Sequence, residues 1–240
     1  MRYWLVMPAA GTGSRLGGPM PKQYAQLQGR TILEWALAPF LQDDRCAGAV
    51  VVVSRGDTWW PEVAARLLGA TQILTAAGGA ERCDSVLSGL LALEGRIAGE
   101  EWVLVHDAAR PCVSSHDRDR LLESAASHPV GGLLAVPAAD SLKRADAERT
   151  VLDTVDRRDL WRALTPQMFR HKRLREALER ASAEGMRPTD EAQAIEWLGE
   201  RPLLVPGSST NIKVTTADDL VIAAALLAAR PAGSSGGLAR

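Results

Sequence analysis

Short, uninterrupted apolar runs recur along the first half of the chain, at Tyr3–Met7, Ala49–Ser54, Gln72–Thr75, Trp102–His106 and Gly132–Pro137. They are rich in β-branched and aromatic residues and lack the in–out alternation of a half-solvated strand, which marks strands covered on both faces. Between them apolar residues return at helical spacing, predicting helices over Ile32–Leu41, Trp60–Leu68, Cys83–Leu93 and Ser115–Ser127. Strand alternating with helix predicts an α/β fold with a mostly parallel sheet and helices on both faces. In such sheets ligands sit beyond the carboxyl ends of the strands, so the segments that leave those ends are the places to look for chemistry.

The pattern changes from Asp140 to Leu160. Two short strands flank a polar turn at Ala145–Arg149, which predicts a projecting β-hairpin over about residues 138–160. A lone hairpin is marginal in water, so this one is expected to pack on a second copy of the chain. Beyond it, Leu164-Thr165-Pro166-Gln167 leads to a helix from His171 to Glu184. Pro188-Thr189-Asp190-Glu191 then caps a helix through Leu198, Leu203–Pro206 forms a last strand, and a helix over Ala217–Ala229 closes the domain.

The first strand runs into Pro8-Ala9-Ala10-Gly11-Thr12-Gly13-Ser14-Arg15, with Pro21-Lys22-Gln23 a few residues on. Small residues let backbone N–H groups close on an anion, and Arg15 and Lys22 add positive charge. No Gly-Lys-Ser/Thr closes the loop and no third glycine completes a dinucleotide fingerprint, so neither a P-loop nor a dinucleotide site is expected. The order instead resembles the signature of sugar-nucleotide pyrophosphorylases and cytidylyltransferases, in which this loop wraps a nucleoside triphosphate. After the third run, Gly78-Gly79-Ala80-Glu81-Arg82-Cys83-Asp84-Ser85 opens a helix and offers exposed backbone for reading a base; a plain glycine turn with an N-cap is the alternative. The fourth run ends in His106-Asp107-Ala108-Ala109-Arg110. Asp107 stands where a magnesium ion or a sugar hydroxyl would meet it, and Arg110 suits a two-pronged grip on phosphate. The alternative is a structural Asp107–Arg110 ion pair. His106 reads as a structural histidine, while His116, His128 and His171 have no ligand spacing. Lys213 reads equally as a surface lysine or a phosphate ligand.

Eight ordered blocks carry a closer resemblance. They are Pro8-Ala9-Ala10-Gly11 with Arg15 and Lys22, Gly78-Gly79 with Arg82 and Ser85, Val105 to Pro111, Asp140-Ser141 with Lys143, Val155-Asp156-Arg157, Thr165-Pro166-Gln167, Thr189-Asp190-Glu191, and Asn211-Ile212-Lys213-Val214-Thr215. Together they resemble the 2-C-methyl-D-erythritol 4-phosphate cytidylyltransferases over nearly the whole chain. The resemblance implies a Rossmann-like fold, a homodimer joined by the hairpin arm, and transfer of CMP from CTP to a methylerythritol phosphate with release of pyrophosphate. It implies that Arg15, Lys22 and Lys213 meet the CTP phosphates, with Asp107 completing the catalytic set. Pro8, Ala9, Ala10, Gly11, Thr12, Gly13, Gly79, Ala80, Ser85 and Ala108 would complete the nucleotide site. Asp107, Arg110, Thr165 and Thr189 would line the acceptor site, with Ser141 and Arg157 reaching in from the other subunit. Mg2+ or another divalent cation is the implied cofactor. Ser141 stands where the best-known members have Thr, and Ala80 where some have an acidic residue. Another polyol phosphate such as ribitol 5-phosphate, or a nucleotide sensor without catalysis, remains open on the residues alone.

The composition narrows the partners. At 240 residues and 46% hydrophobic the chain supports one domain, residues 1–230, and its formal charge of −1 offers no field for nucleic acid. Cys46, Cys83 and Cys112 have no pairing pattern. The N-terminal residues show no basic, apolar and small signal pattern and no apolar run reaches membrane length, so the expectation is a cytoplasmic protein with no membrane partner. Residues 231–240, rich in Gly and Ser, are expected to form a disordered tail.

Overall fold

The computed structural model describes residues 1–11, 20–67 and 72–230. In chain order its strands are β1 (Tyr3–Pro8), β2 (Gln26–Leu27), β3 (Arg30–Thr31), β4 (Cys46–Val53), β5 (Gln72–Ala77), β6 (Trp102–Val105), β7 (Gly131–Pro137), β8 (Leu142–Ala145), β9 (Val151–Val155), β10 (Trp161–Arg170) and β11 (Leu203–Pro206). The helices are α1 (Ile32–Leu41), α2 (Trp60–Arg66), α3 (Arg82–Leu91), α4 (Ser115–Ala126), α5 (His171–Ala183), α6 (Glu191–Glu196) and α7 (Ala217–Ala228). One sheet runs β11-β7-β10-β6-β1-β4-β5. Its pairs are parallel except where β10 lies antiparallel between β6 and β7. This is the α/β arrangement with a mostly parallel sheet expected from the alternating pattern, and the Rossmann-like fold that the resemblance implies.

Burial on both faces explains why β1 reads as a solid apolar run. Tyr3, Leu5 and Met7 point into one core with Leu33, Leu37 and Phe40 of α1 and Leu121 of α4. Trp4 and Val6 point into the other, with Val86 and Leu90 of α3, Leu174 and Leu178 of α5 and Ile195 of α6. Each such side chain contributes about 1.5–3 kcal/mol on burial. Several helices start where side chains cap them. Thr31 and Glu34 form a reciprocal box at α1, as Thr216 and Asp219 do at α7, and Ser114 accepts from Asp117 at α4.

β10 was not foreseen as a strand. Pro166 sits inside it, and a proline has no N–H for a ladder, so the segment Leu164–Gln167 reads as a connection. The sheet accommodates it by a register shift against β7 between Ala163 and Gln167. The sixth helix also ends earlier than its apolar spacing suggests. Gly199, at φ +82°, closes the turn by donating to Glu196, and only glycine adopts that conformation freely.

The hairpin is present as β8 paired antiparallel with β9, a two-stranded sheet separate from the main one. Leu142, Val151, Leu152, Leu160 and Trp161 are exposed on or beside it. The expected tail, residues 231–240, lies outside the described residues.

α3 carries the second candidate loop, and its packing distance is set by Gly89. A Cβ there would stand 2.6 Å from Val6 Cγ1 and 2.9 Å from Val52 Cγ2, both on branched side chains fixed in the core. Ala is favoured over Gly in a helix by about 1 kcal/mol, so the sign of Gly89→Ala is decided by this overlap. We expect the substitution to destabilise the protein by about 1–3 kcal/mol, measured by urea denaturation; a stabilised variant would show that α3 does not pack this closely.

Candidate active site

Three strand ends converge. Ala9 N–H donates to Val52 O at 2.7 Å and Gly78 N–H to Val53 O at 2.8 Å, while Ser54 Oγ donates to Ala10 O at 2.7 Å. His106 N–H donates to Val6 O at 3.0 Å. The segments leaving β1, β5 and β6 are thereby laid side by side around a cleft of about 300 Å³. Pro8, Ala9, Ala10, Gly11, Lys22, Gly79, Ala80, Ser85, Asp107, Ala108 and Lys213 line it. Gln23, Glu81, Arg82 and Ala109 also line it.

The small residues are there for contact. A Cβ on Gly78 would lie 2.3 Å from Ala10 Cβ, so the first and second loops meet only because Gly stands at this point. Ser85 Oγ accepts from Gly79 N–H at 3.2 Å and donates to Glu81 O at 3.2 Å. Asp84 turns back to accept from Glu81 N–H at 3.1 Å, closing the start of α3. Gln23 is buried and donates to Ala9 O at 2.6 Å, pinning the turn that carries Lys22 beneath the first loop. Lys22 Nζ donates to Val214 O at 3.1 Å.

Asp107 is the electrostatic centre. Its carboxylate is almost wholly buried, with Arg82 Nε 2.9 Å from Oδ1, Lys213 Nζ 3.0 Å from Oδ2 and Arg110 Nε 3.5 Å from Oδ2. Burial alone would raise its pKa, but the charges of Arg82, Lys213 and Arg110 outweigh that and hold it well below the usual carboxylate range. Arg82 also grips the fully buried Glu191, at 2.6 Å and 3.2 Å from its two terminal nitrogens. The segment bearing Lys213 is stitched to the same place. Val214 N–H donates to Ala109 O at 2.8 Å, Asn211 Nδ2 to Thr165 O at 2.7 Å, and Arg110 Nη1 to Asn211 O at 2.7 Å.

His106 is structural, as its position in the sequence suggests. Asp107 N–H donates to Thr165 Oγ1, which lies 3.0 Å from His106 Nδ1, while His106 Nε2 lies 3.1 Å from Arg110 O. A carbonyl only accepts, so this network assigns the proton to Nε2. Both ring nitrogens are occupied inside the wall.

Not every expected site residue faces the cleft. Thr12, Gly13 and Arg15 lie outside the described residues. Arg110 and Thr165 are committed within the wall, so Arg110 is held in the structural pair with Asp107 and not as an open fork for phosphate. Thr189 is exposed and donates its N–H to Gln193 Oε1, and Ser141 and Arg157 are exposed in and beside the hairpin. Arg110, Thr165, Thr189, Ser141 and Arg157 are therefore not on the lining of the cleft. Asp107 is also ill suited to hold a metal alone: its oxygens already face three cations. Among the described residues no three His, Cys, Asp or Glu side chains cluster as a ligand set. Arg82, Gln23 and Glu191 carry the site's geometry without having been given a role from sequence. Arg82 and Glu191 sit inside quoted motifs, but more than a hundred residues separate them, and nothing local shows that they pair.

Residues 3–229 match the family model described as 2-C-methyl-D-erythritol 4-phosphate cytidylyltransferase. The enzyme of that name from Vibrio parahaemolyticus is 49% identical over 218 residues, covering 91% of this chain and 92% of its own. Its Pseudomonas aeruginosa counterpart is 50% identical over 220 residues, covering 91% and 93%. Among solved structures, the Francisella tularensis 2-C-methyl-D-erythritol 4-phosphate cytidylyltransferase is similar with a TM-score of 0.80 and 33% identity, over 94% of this chain and 100% of that one.

Burial lowers the pKa of His106 to about 4, against an ordinary 6.5. Between these values the unfolded state binds the extra proton, so the stability that His106 contributes is complete above pH 6.5 and is lost as the pH falls toward 4. The His106 ring resonances should therefore stay those of the Nε2–H tautomer from pH 7.5 to 5 in an NMR titration. A midpoint near 6.5 would show that the ring is open to water.

Proposed function

The chain belongs to the 2-C-methyl-D-erythritol 4-phosphate cytidylyltransferase family, and on that premise we propose how its cleft carries out the transfer. The enzyme moves the CMP group of CTP onto 2-C-methyl-D-erythritol 4-phosphate, giving 4-diphosphocytidyl-2-C-methyl-D-erythritol and pyrophosphate. The observation that carries the assignment of residues is a floor of small residues at three strand ends, with Lys22 and Lys213 both on its lining.

In this reading cytosine rests against the backbone of Gly79, Ala80 and Ser85, and Pro8, Ala9, Ala10, Gly11 and Ala108 form the rest of the nucleotide wall. Lys22, Lys213 and Arg15 neutralise the triphosphate. The acceptor lies toward Asp107, with Arg110, Thr165 and Thr189 as the wall behind it and Ser141 and Arg157 supplied by a second copy of the chain. A phosphate monoester has a second pKa near 6 and is largely dianionic at pH 7, so its oxygen attacks the α-phosphorus of CTP in line without a general base. That accords with His106 being sealed in the wall. The residues align the two substrates and balance the charge that gathers on pyrophosphate as it leaves. An unlike pair at ~4 Å gives ~4 kcal/mol at an effective dielectric near 20 before desolvation. A divalent cation such as Mg2+ would supply further neutralising charge to the triphosphate; it would be held chiefly by the CTP phosphates, because the Asp107 carboxylate already faces three cations.

The hairpin supplies the dimer in this proposal. Its apolar side chains are exposed on a two-stranded sheet that gains little stability alone. A homodimer through the arm covers them and brings Arg157 to the neighbouring cleft. We place the enzyme in the cytoplasm, which suits its three free cysteines. Among the described residues no helix is long and apolar enough to cross a membrane.

Lys22→Ala and Lys213→Ala should fold normally and lower kcat by at least about a hundredfold, since each removes charge that acts on the departing pyrophosphate. A folded variant of either with near-normal kcat in a pyrophosphate-release assay removes that lysine from the mechanism.

Arg157→Ala should raise the KM for the polyol phosphate far more than that for CTP. The trans arrangement is tested by a mixed dimer of one Arg157→Ala chain and one Lys22→Ala chain. One of its sites carries both lesions and the other neither, so it should regain about half of the wild-type activity. A heterodimer as inactive as both parents would show that Arg157 does not act across the interface.

A further inference from the structure

Glu191 has no part in the reaction described above, yet its carboxyl group is fully buried, with 1% of the residue exposed; burial raises its pKa, and the charge and hydrogen bonds of Arg82 oppose that and favour the carboxylate. Its position is fixed from two sides. Asp190 caps the following turn by accepting from Gln193 N–H at 2.9 Å. Gln167, on β10 between β6 and β7, accepts from Ala192 N–H at 2.8 Å and donates to Asp190 Oδ2 at 3.0 Å. The first turn of α6 is thus clamped to the sheet, and Glu191 is carried with it.

What Glu191 faces is a guanidinium at the edge of the nucleotide cleft. Arg82 is a lining residue, but its Nη1 and Nη2 are taken by Glu191 and its Nε by Asp107. Left unrestrained, an arginine there would be the stronger phosphate ligand of the cleft, because its fork matches phosphate oxygens better than an ammonium does. Lys213 differs in kind: its side chain is 41% exposed, and its ammonium contacts Asp107 Oδ2 at 3.0 Å.

We infer that Glu191 is a positioning residue. By gripping both terminal nitrogens of Arg82, it keeps that guanidinium on Asp107 and off the nucleotide phosphates, leaving Lys213 as the cation that follows the triphosphate in and releases pyrophosphate afterwards. The inference rests on the reading above that Lys213 meets phosphate. It assigns to the Thr189-Asp190-Glu191 motif a second task besides the acceptor wall, namely preventing a trap for the product.

Glu191→Gln keeps the shape and removes the charge, turning one acceptor toward Arg82 into a donor. One terminal nitrogen of Arg82 is then free to hold an anion. Inorganic pyrophosphate, added as a product inhibitor to the forward assay and titrated calorimetrically against the enzyme, should bind about tenfold tighter, the scale of one charge-assisted hydrogen bond. kcat should fall by about tenfold while the KM for CTP falls or stays level. Adding Arg82→Gln to Glu191→Gln removes the freed guanidinium and should return pyrophosphate binding to the wild-type level. A merely structural Glu191 would instead lower Tm and the active fraction, with pyrophosphate binding and KM unmoved. If Glu191→Gln does not fold, Glu191→Asp keeps the charge but reaches one nitrogen only, and should tighten pyrophosphate about threefold. Unchanged pyrophosphate binding in whichever variant folds overturns the inference, as does a double variant that still binds pyrophosphate as tightly as the single. Lys213→Ala, measured alongside, separates the two readings. If it binds pyrophosphate like the wild type, the phosphate role of Lys213 fails; if it binds more weakly while Glu191→Gln is unchanged, only the inference about Glu191 fails.

Discussion

A buried carboxylate surrounded by three cations holds the working end of this molecule together. Asp107 leaves the end of β6, and its partners arrive from elsewhere: Arg82 from the start of α3, Lys213 from the segment before α7, and Arg110 from its own turn. Removing such a group from water costs several kcal/mol, and only close, multiple ion pairing offsets that. The carboxylate therefore makes strict demands on where the three loops lie. With Glu191 included, the cluster holds two negative and three positive side chains, so it leaves a formal charge of +1 at a cleft built for anions.

The rest of the fold serves to keep those loops in register. Apolar residues on alternate faces of β1 tie the sheet to helices on either side, Gly89 marks a place where α3 lies too close to the sheet for even a methyl group, and Gly48 on β4 leaves room for the ring of Trp4 on the neighbouring strand. A packed interior of this kind does not deform gradually. The ends of β1, β5 and β6 are consequently a firm platform for the charges gathered around Asp107. Among the described residues the hairpin stands apart from the main sheet as a separate two-stranded sheet, which is why its function is sought in a second copy.

The chemistry is spare for the same reason. A phosphate nucleophile brings its own charge, so the site has no use for a poised base, and His106 is free to serve as a strut between Thr165 and Arg110. The cleft's polar side chains are arranged to place charge and not to move protons.

Much of this was legible in the sequence, because it depends on residues that are neighbours in the chain. Apolar periodicity located β1, β4 to β7, β11 and all seven helices to within a few residues, since core burial imposes that spacing directly. The glycine-rich loops, Lys22, Asp107 and Lys213 were legible as candidates, but each alone also had a plain structural reading, and only their order along the chain favoured a nucleotide site. Two things were decided only by the tertiary structure. β10 is a strand despite Pro166, because ladders on both sides and the buried Met168 and Phe169 outweigh a local disfavour that a sequence shows in full. The partners of Asp107 and Glu191 are the other, for an ion pair is a matter of distance in space. Arg82 and Glu191 lie 109 positions apart in the chain and 2.6 Å apart in the fold, and no pattern along the sequence records a closeness that arises only when α6 is laid against the sheet.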